Sequence, residues 1–375
     1  MSRPLTVLQL LPALESGGVE RSILEISAAL VAAGHRSLVV SAGGRLLPAL
    51  LEGGGEHFEL DVGRKSLATL RLVGPLRRLL VEQGVDIVHA RSRLPAWVGW
   101  RALRGLPEPS RPRLVTTVHG LNSPSRYSQV MVRGERVICV SDTVREHVLR
   151  HYPGTGADRL RVIPRGIDPR DFPRVPLPDG AARAAAALAD PRLGGEGPLL
   201  LLPGRGTRLK GHADALDLLA ALRADGSDAR LWMPGARDPA RASYVAELES
   251  RALELGIADV VAITPPTSAI AAAYAASDLV LQLSRKPEAF GRTVIEAFSV
   301  GRPVLGWNHG GVGELLGELQ PEGAVPAFDA EALRLRAGAL LARDGRLPAT
   351  IPTVPDRYSL RSMQDATLSV YDELR

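Results

Sequence analysis

Two carboxylates pose the first chemical question. In "KPEAFGRTVIEAFSVGRPVLGWNHGGVGEL" (286–315), Glu288 and Glu296 flank Gly291 in an E-x7-E spacing. A helix running through both would part them by about 80° of rotation and ~12 Å of rise. That geometry rules out a shared metal or a shared proton. It allows two contacts to one extended ligand. Paired carboxylates also serve glycoside hydrolysis, but a simple hydrolase would leave the phosphate-ready turns elsewhere in the chain without a use.

One of those turns is "GRGTRLKG" (204–211), where Arg205 and Lys210 bracket a glycine-containing loop that opens a helix. A guanidinium and an ammonium placed so can surround a diphosphate; two solvated surface cations are the alternative. Composition favours the first, because only Lys65, Lys210 and Lys286 are lysines among 46 basic residues. The pattern is not G-x-x-x-x-G-K-[ST], so a P-loop is disfavoured. Another turn is "SGGVE" (16–20), in which Gly17 and Gly18 can bring helix N-terminal amides close to an anion. A tight strand–helix turn would look the same, and the dinucleotide pattern G-x-G-x-x-G is absent. His119 closes "TTVHG" at a strand's end, as a cleft residue or a structural one. In "HARSRLPAW", Arg91, Arg93 and Trp97 can line an anionic acceptor site, or serve as helix-start charges beside a packed indole.

These residues need a scaffold that gathers strand ends. "LTVLQLL", "RSLVVSAG", "VDIVHA", "RLVTTVHG" and "RVICVSD" are continuous apolar runs separated by helical segments. Continuous rather than alternating strands predict a parallel sheet covered on both faces. After the proline-rich stretch 163–180 the alternation restarts with "PLLLLPGRG", "ARLWMPG", "DVVAITP", "DLVLQLS" and "RPVLGWN". The prediction is α/β with two doubly wound, Rossmann-like domains facing across a cleft. Residues 1–175 form the first domain and 176–357 the second. Residues 358–375 form a C-terminal helix packing back on the first. Ligands in such sheets sit beyond the carboxyl ends of the strands.

The 375-residue length exceeds one ordinary core, and 45% hydrophobic with 23% charged residues excludes disorder. A single cysteine, Cys139, excludes an internal disulfide and suits a reducing compartment. No apolar run reaches the 18–20 or so residues that span a bilayer, and the N-terminal run lacks a signal-peptide cleavage pattern. A cytoplasmic protein is expected. The net charge of +5 is carried almost wholly by arginine. With no basic run interleaved with aromatics, nucleic acid is not the expected partner; phosphate groups or an acidic membrane face are.

The ordered set "GGVERSILEISAALVAAGH", "VTTVHG", "VICVSDTVREHV", "VIPRGID", "GRGTRLKG", "EAFGRTVIEA" and "GGVGELL" resembles the retaining GT-B glycosyltransferases of the group-one family, over nearly the whole chain. The resemblance implies roles, with residues 1–175 as the acceptor-side domain and 176–357 as the nucleotide-sugar-binding domain. Arg205 and Lys210 would neutralise the donor diphosphate, Glu288 would meet the donor sugar, and Glu296 the ribose. Backbone at Gly17, Gly18, Ala289, Phe290 and Gly291 would approach phosphates and sugar. His119 would lie beside the transferred sugar, with Arg205, Lys210, His119 and Glu288 as the catalytic set and Arg91 and Arg93 toward the acceptor. No metal or cofactor is implied. The donor would be a nucleoside-diphosphate sugar, such as a UDP-sugar, and the acceptor an envelope glycan or glycolipid, with peripheral contact at the inner membrane. "HARSRLPAW", "RKPEAFGRTVIEA" and "WNHGGVGELL" are most similar to the lipopolysaccharide-core branch. Arg165 stands where Asn is common in this family, and Arg292 where an apolar residue is usual. A GT-B-fold epimerase and a non-catalytic two-lobed sugar-binding protein are the rival expectations.

Overall fold

The computed structural model describes residues 3–15, 17–177, 179–342 and 351–375. It divides into two units, one of residues 1–166 with 360–375, the other of residues 167–359. Each is a parallel sheet with helices between its strands.

The first sheet holds β1 (Thr6–Leu10), β2 (Arg36–Ser41), β3 (Glu56–Glu59), β4 (Ile87–Ala90), β5 (Arg113–Val118), β6 (Arg136–Cys139) and β7 (Leu160–Val162) in the order β3-β2-β1-β4-β5-β6-β7. The second holds β8 (Leu199–Leu201), β9 (Arg230–Pro234), β10 (Val261–Thr264), β11 (Leu279–Gln282), β12 (Val304–Trp307) and β13 (Ala324–Val325), ordered β10-β9-β8-β11-β12-β13. Both are doubly wound Rossmann-like sheets. The order reverses between β1 and β4, and again between β8 and β11, so each unit has a switch point where a ligand crevice opens.

The strands read as expected of doubly covered sheets: β4, β8, β11 and β12 are buried at every residue. Leu200, Leu231, Leu281, Leu305 and Trp307 belong to the second core. In the first, Val7, Ile87, Val115 and Ile138 pack with Met363, Val370 and Tyr371 of the last helix, Leu360–Asp372. Burying side chains of this size stabilises by roughly 1.5–3 kcal/mol each. That helix is also fastened by polar contacts. Gln364 Nε2 donates to the Glu25 carbonyl at 2.8 Å, and Glu373 takes Arg136 and Arg161 at 2.6 and 2.7 Å.

The units divide between residues 166 and 167, earlier than the boundary predicted from the prolines at 175/176. The reason is that the proline-rich stretch is docked on the second unit. Ser299 Oγ donates to the Phe172 carbonyl at 2.7 Å, and the Phe172 ring packs edge-on to Tyr274. Arg302, fully buried, donates to the carbonyls of Val175 and Pro176.

Candidate functional site

In the second unit, the loop leaving β8 is shaped by glycine. Gly211 has φ +76°, and a Cβ there would lie 2.0 Å from the Leu283 carbonyl oxygen, at the exit of β11. A Cβ at Gly206 would lie 2.0 Å from the Ala236 carbonyl oxygen, beyond β9. No other residue allows this approach. The Arg285 amide then bonds the Leu209 carbonyl at 2.8 Å, fixing the β8 loop to the β11 loop. A short turn, Arg208–Lys210, hands over to the helix His212–Ala224.

That fixing brings two predicted residues together. Lys210 Nζ is 2.5 Å from Glu288 Oε1. Ser284 Oγ, also 2.5 Å from Glu288 Oε1, donates to it. The start of the helix after β12, Gly310–Leu319, locks the backbone of the same glutamate. The Gly311 amide donates to the Glu288 carbonyl at 2.8 Å, and a Cβ at Gly311 would meet Phe290 Cα at 2.5 Å. His309 Nε2 donates to the Ser284 carbonyl at 2.9 Å, which places its proton on that nitrogen. Arg205 is exposed and makes no ion pair among the described residues. Phe290 is buried and packs near Tyr358, and Ala289 is half-buried. Gly291 (φ +109°) precedes the helix Arg292–Val300.

Glu296 lies inside that helix and accepts from the Tyr274 hydroxyl at 2.9 Å. Burial, then the Glu296 charge, pushes the Tyr274 hydroxyl well above its ordinary pKa, so it stays a donor. Glu288 and Glu296 therefore have separate partners and do not form an acid–base pair.

In the first unit, His119 ends the β5 run. A guanidinium always donates, so the close contact from Arg165 Nη2 makes His119 Nδ1 an acceptor and leaves the proton of the neutral ring on Nε2. Arg165 is itself buried and donates to Ser22 Oγ at 2.8 Å. Gly17 has φ +146° at the N-cap of the helix that begins at Gly18, and a Cβ there would press on Glu20 at 2.7 Å. Glu20 already complements the helix dipole in that first turn.

Arg91 and Arg93 line one cavity of about 340 Å³ in this unit, together with Lys65, Ser92 and His119. Trp97 does not line it and takes the other reading, that of a packed indole. Its Nε1 donates to the Tyr127 carbonyl at 2.9 Å, and the Arg133 guanidinium stacks over Trp97 and Trp100. The sequence left Ser284, Tyr274 and Lys65 without roles. Only Lys65 carried a signal, the same lysine scarcity that singled out Lys210. Among the described residues no group of three or more His, Cys, Asp or Glu side chains is placed to hold a metal.

Paired Rossmann-like units with basic and carboxylate groups at strand ends define the GT-B glycosyltransferase class. The fold agrees at full length with a glycosyltransferase from Rickettsia africae: TM-score 0.86, 28% identity, covering 100% of this chain and 99% of that one. Anabaena HepE, solved with UDP and glucose, shares the fold at TM-score 0.81 and 21% identity, over 98% of this chain and 100% of that one. Residues 16–171 match the model for Glycosyltransferase Family 4, and residues 187–346 that for Glycosyl transferases group 1. The D-inositol 3-phosphate glycosyltransferase of Xylanimonas cellulosilytica is 30% identical over 309 residues, 76% of this chain and 71% of that one. The chain belongs to the group 1 glycosyl transferases.

Proposed function

We propose that the chain transfers a sugar from a nucleoside diphosphate, a UDP-sugar in the first instance, to a hydroxyl of its acceptor with retention of anomeric configuration and without a metal. The observation that carries this is the Lys210–Glu288 contact, held by glycine-dependent loops at the β8/β11 switch point with Arg205 exposed on the same loop. Lys210 and Arg205 neutralise the diphosphate as the bond from the anomeric carbon to the phosphate oxygen breaks. Glu288 orients the sugar hydroxyls and Glu296 the ribose. The acceptor oxygen bonds the anomeric carbon, and its proton passes to the departing phosphate oxygen. Neither glutamate serves as nucleophile in this scheme, because each is already hydrogen-bonded in a positioning role. Catalysis then comes from charge stabilisation and alignment.

UDP in the HepE structure supports the donor assignment at the level of the fold. For the acceptor, motif resemblance supports a lipopolysaccharide-core or other envelope glycan, while the Xylanimonas relative's name supports a phosphorylated polyol. A cytoplasmic setting is part of the same proposal, supported by the lone cysteine: Cys139 is a buried free thiol whose pKa burial pushes up to about 12. Among the described residues no helix is long and apolar enough to cross a membrane.

The test is nucleoside-diphosphate release by purified protein from UDP-, GDP- and ADP-sugars, with and without acceptor, and the anomeric configuration of the product by NMR. Release that rises with acceptor and a retained configuration are expected. Absence of release with every donor sinks the transferase reading; turnover of the nucleotide sugar alone, with no acceptor, would indicate an epimerase.

A further inference from the structure

One side chain strains its own backbone beside the loops of the second unit. Phe328, just beyond β13, has φ +67°, the single non-glycine residue with positive φ among the described residues. A Cβ is disfavoured in that conformation, and turns that need it at their third position favour Gly or Asn. The turn is firmly set. The Asp329 amide donates to the Pro326 carbonyl at 3.1 Å, and Asp329 Oδ1 caps the helix Ala330–Leu341 by accepting from the Ala332 amide at 2.9 Å. Burial does not account for a phenylalanine here, because the residue is 48% exposed. We propose that Phe328 is a positioning residue for sugar transfer, one whose ring sets the loop that brings Glu288 to Lys210; this rests on the transferase reading of that pair.

The ring meets three side chains from the ends of β11 and β12. Trp307, 1% exposed in the second core, packs edge-on to it with 5.7 Å between centroids, which anchors the ring to the sheet. His309 packs edge-on at 5.8 Å, and the Arg285 guanidinium lies over the ring, 5.0 Å from its centroid.

His309 and Arg285 converge on one peptide. The Ser284 carbonyl accepts from His309 Nε2 at 2.9 Å, and the Arg285 amide of the same peptide donates to the Leu209 carbonyl at 2.8 Å. The Arg285 guanidinium also donates to Asp214 Oδ1 at 2.6 Å, on the helix His212–Ala224. Asp214 Oδ2 is buried without a hydrogen-bond partner, so that carboxylate depends on Arg285. Leu209 is the neighbour of Lys210, and Ser284 Oγ holds Glu288 Oε1. Both members of the Lys210–Glu288 pair thus stand one step from the peptide that Phe328 buttresses. Without the ring, His309 and Arg285 lose their shared packing surface, and the carboxylate loses its register with the cation. Strain of this kind persists where the surroundings fix it, and it clusters at functional sites.

The experiment compares Phe328→Gly with Phe328→Tyr in the full chain, reading nucleoside-diphosphate release from each nucleotide sugar that the unsubstituted protein turns over. Phe328→Gly removes the ring and relieves the backbone, so its melting temperature should stay within about 4 °C of the unsubstituted protein. Its kcat/KM should fall about 10–100-fold, the scale of a misaligned site. Its Kd for the nucleoside diphosphate, which lacks the sugar, should change less than about 2-fold. Phe328→Tyr keeps the ring and should retain kcat/KM within about 3-fold. Phe328→Gly with undiminished kcat/KM overturns the proposal. So does a parallel loss of nucleotide affinity and melting temperature, which marks a ring that only supports the fold, and so does Phe328→Tyr as slow as Phe328→Gly. Should no donor be turned over, the transferase reading fails by itself, and hydrogen exchange decides the positioning. The Arg285 and Gly311 amides, bonded to the Leu209 and Glu288 carbonyls, should exchange about 10-fold faster in Phe328→Gly. Exchange as slow as in the unsubstituted protein overturns it.

Discussion

Lys210 Nζ and Glu288 Oε1 stand 2.5 Å apart although 77 residues separate them in the chain, and Ser284 holds the same carboxylate oxygen. The pair is about a quarter to a third exposed (31% and 24%), so solvent screens it and its contribution to stability is under about 1 kcal/mol. Its value lies in placement. Lys210→Ala should leave the melting temperature within a few degrees and lower kcat by about 10²–10³-fold, the cost of one lost charge stabiliser at a leaving group. Arg205→Ala should act in the same direction. Steady-state UDP release and thermal melts decide it; both variants retaining full activity would put the diphosphate elsewhere.

Because Arg205 and Lys210 are assigned the charge work, a chelator should leave activity intact. The proposal expects rates with excess EDTA to match those with Mg²⁺. Activity lost in EDTA and restored by Mg²⁺ would contradict the basic-pair mechanism, since a bound cation would then be supplying the neutralisation.

Two buried histidines set the acid response. His212, packed edge-on to Tyr244, is held at a pKa of about 4 by burial. His89, between the Tyr371 hydroxyl and Thr117 Oγ1, is held well below 6.5, also by burial. Both are depressed relative to an unfolded pKa near 6.5, so the unfolded chain binds the extra protons. Their stabilising contribution is complete above pH 6.5 and is lost as pH falls toward 4, at up to about 1.4 kcal/mol per pH unit for each group while it is differentially protonated. Urea unfolding at stepped pH should show this decline, and His212→Gln should flatten the part due to the second unit. A pH-independent midpoint across that window would refute the assignment.

The parallel sheets were legible because strands covered on both faces are continuous apolar runs, as in "VDIVHA" and "DLVLQLS". The short strands β3, β7 and β13 were not. All three lie at sheet edges; β3 carries the charged Glu56 and Glu59 within it, and β13 is two residues long. Glu288, Glu296 and Lys210 were legible from spacing and composition. Their partners Ser284 and Tyr274 were not picked out, because neither stands in a motif: Tyr274 meets Glu296 across 22 residues. Arg165 was noticed only as a departure at an Asn position; that its guanidinium fixes the His119 ring required the fold to bring β5 against the chain after β7.

Arg302 supplies the last prediction. It is fully buried, and its guanidinium donates to the carbonyls of Tyr274 (3.1 Å), Ala275 (2.6 Å), Val175 (3.3 Å) and Pro176 (2.7 Å). One side chain thus ties the proline-rich stretch to the helix that carries Tyr274, whose hydroxyl bonds Glu296. Arg302→Met keeps much of the volume but leaves several buried acceptors unpaired, at about 1–3 kcal/mol for each that cannot rehydrate. A loss of about 3 kcal/mol or more is expected in urea unfolding of the full chain. Arg302→Lys should recover only part of it, because an ammonium cannot span the several carbonyls that a planar fork reaches. The kinetic signature should be a raised KM for donor with a smaller change in kcat, since the fault reaches the site through Tyr274 and Glu296 rather than through the diphosphate pair. Arg302→Met melting within about 2 °C of the unsubstituted chain would show that these carbonyls find other partners.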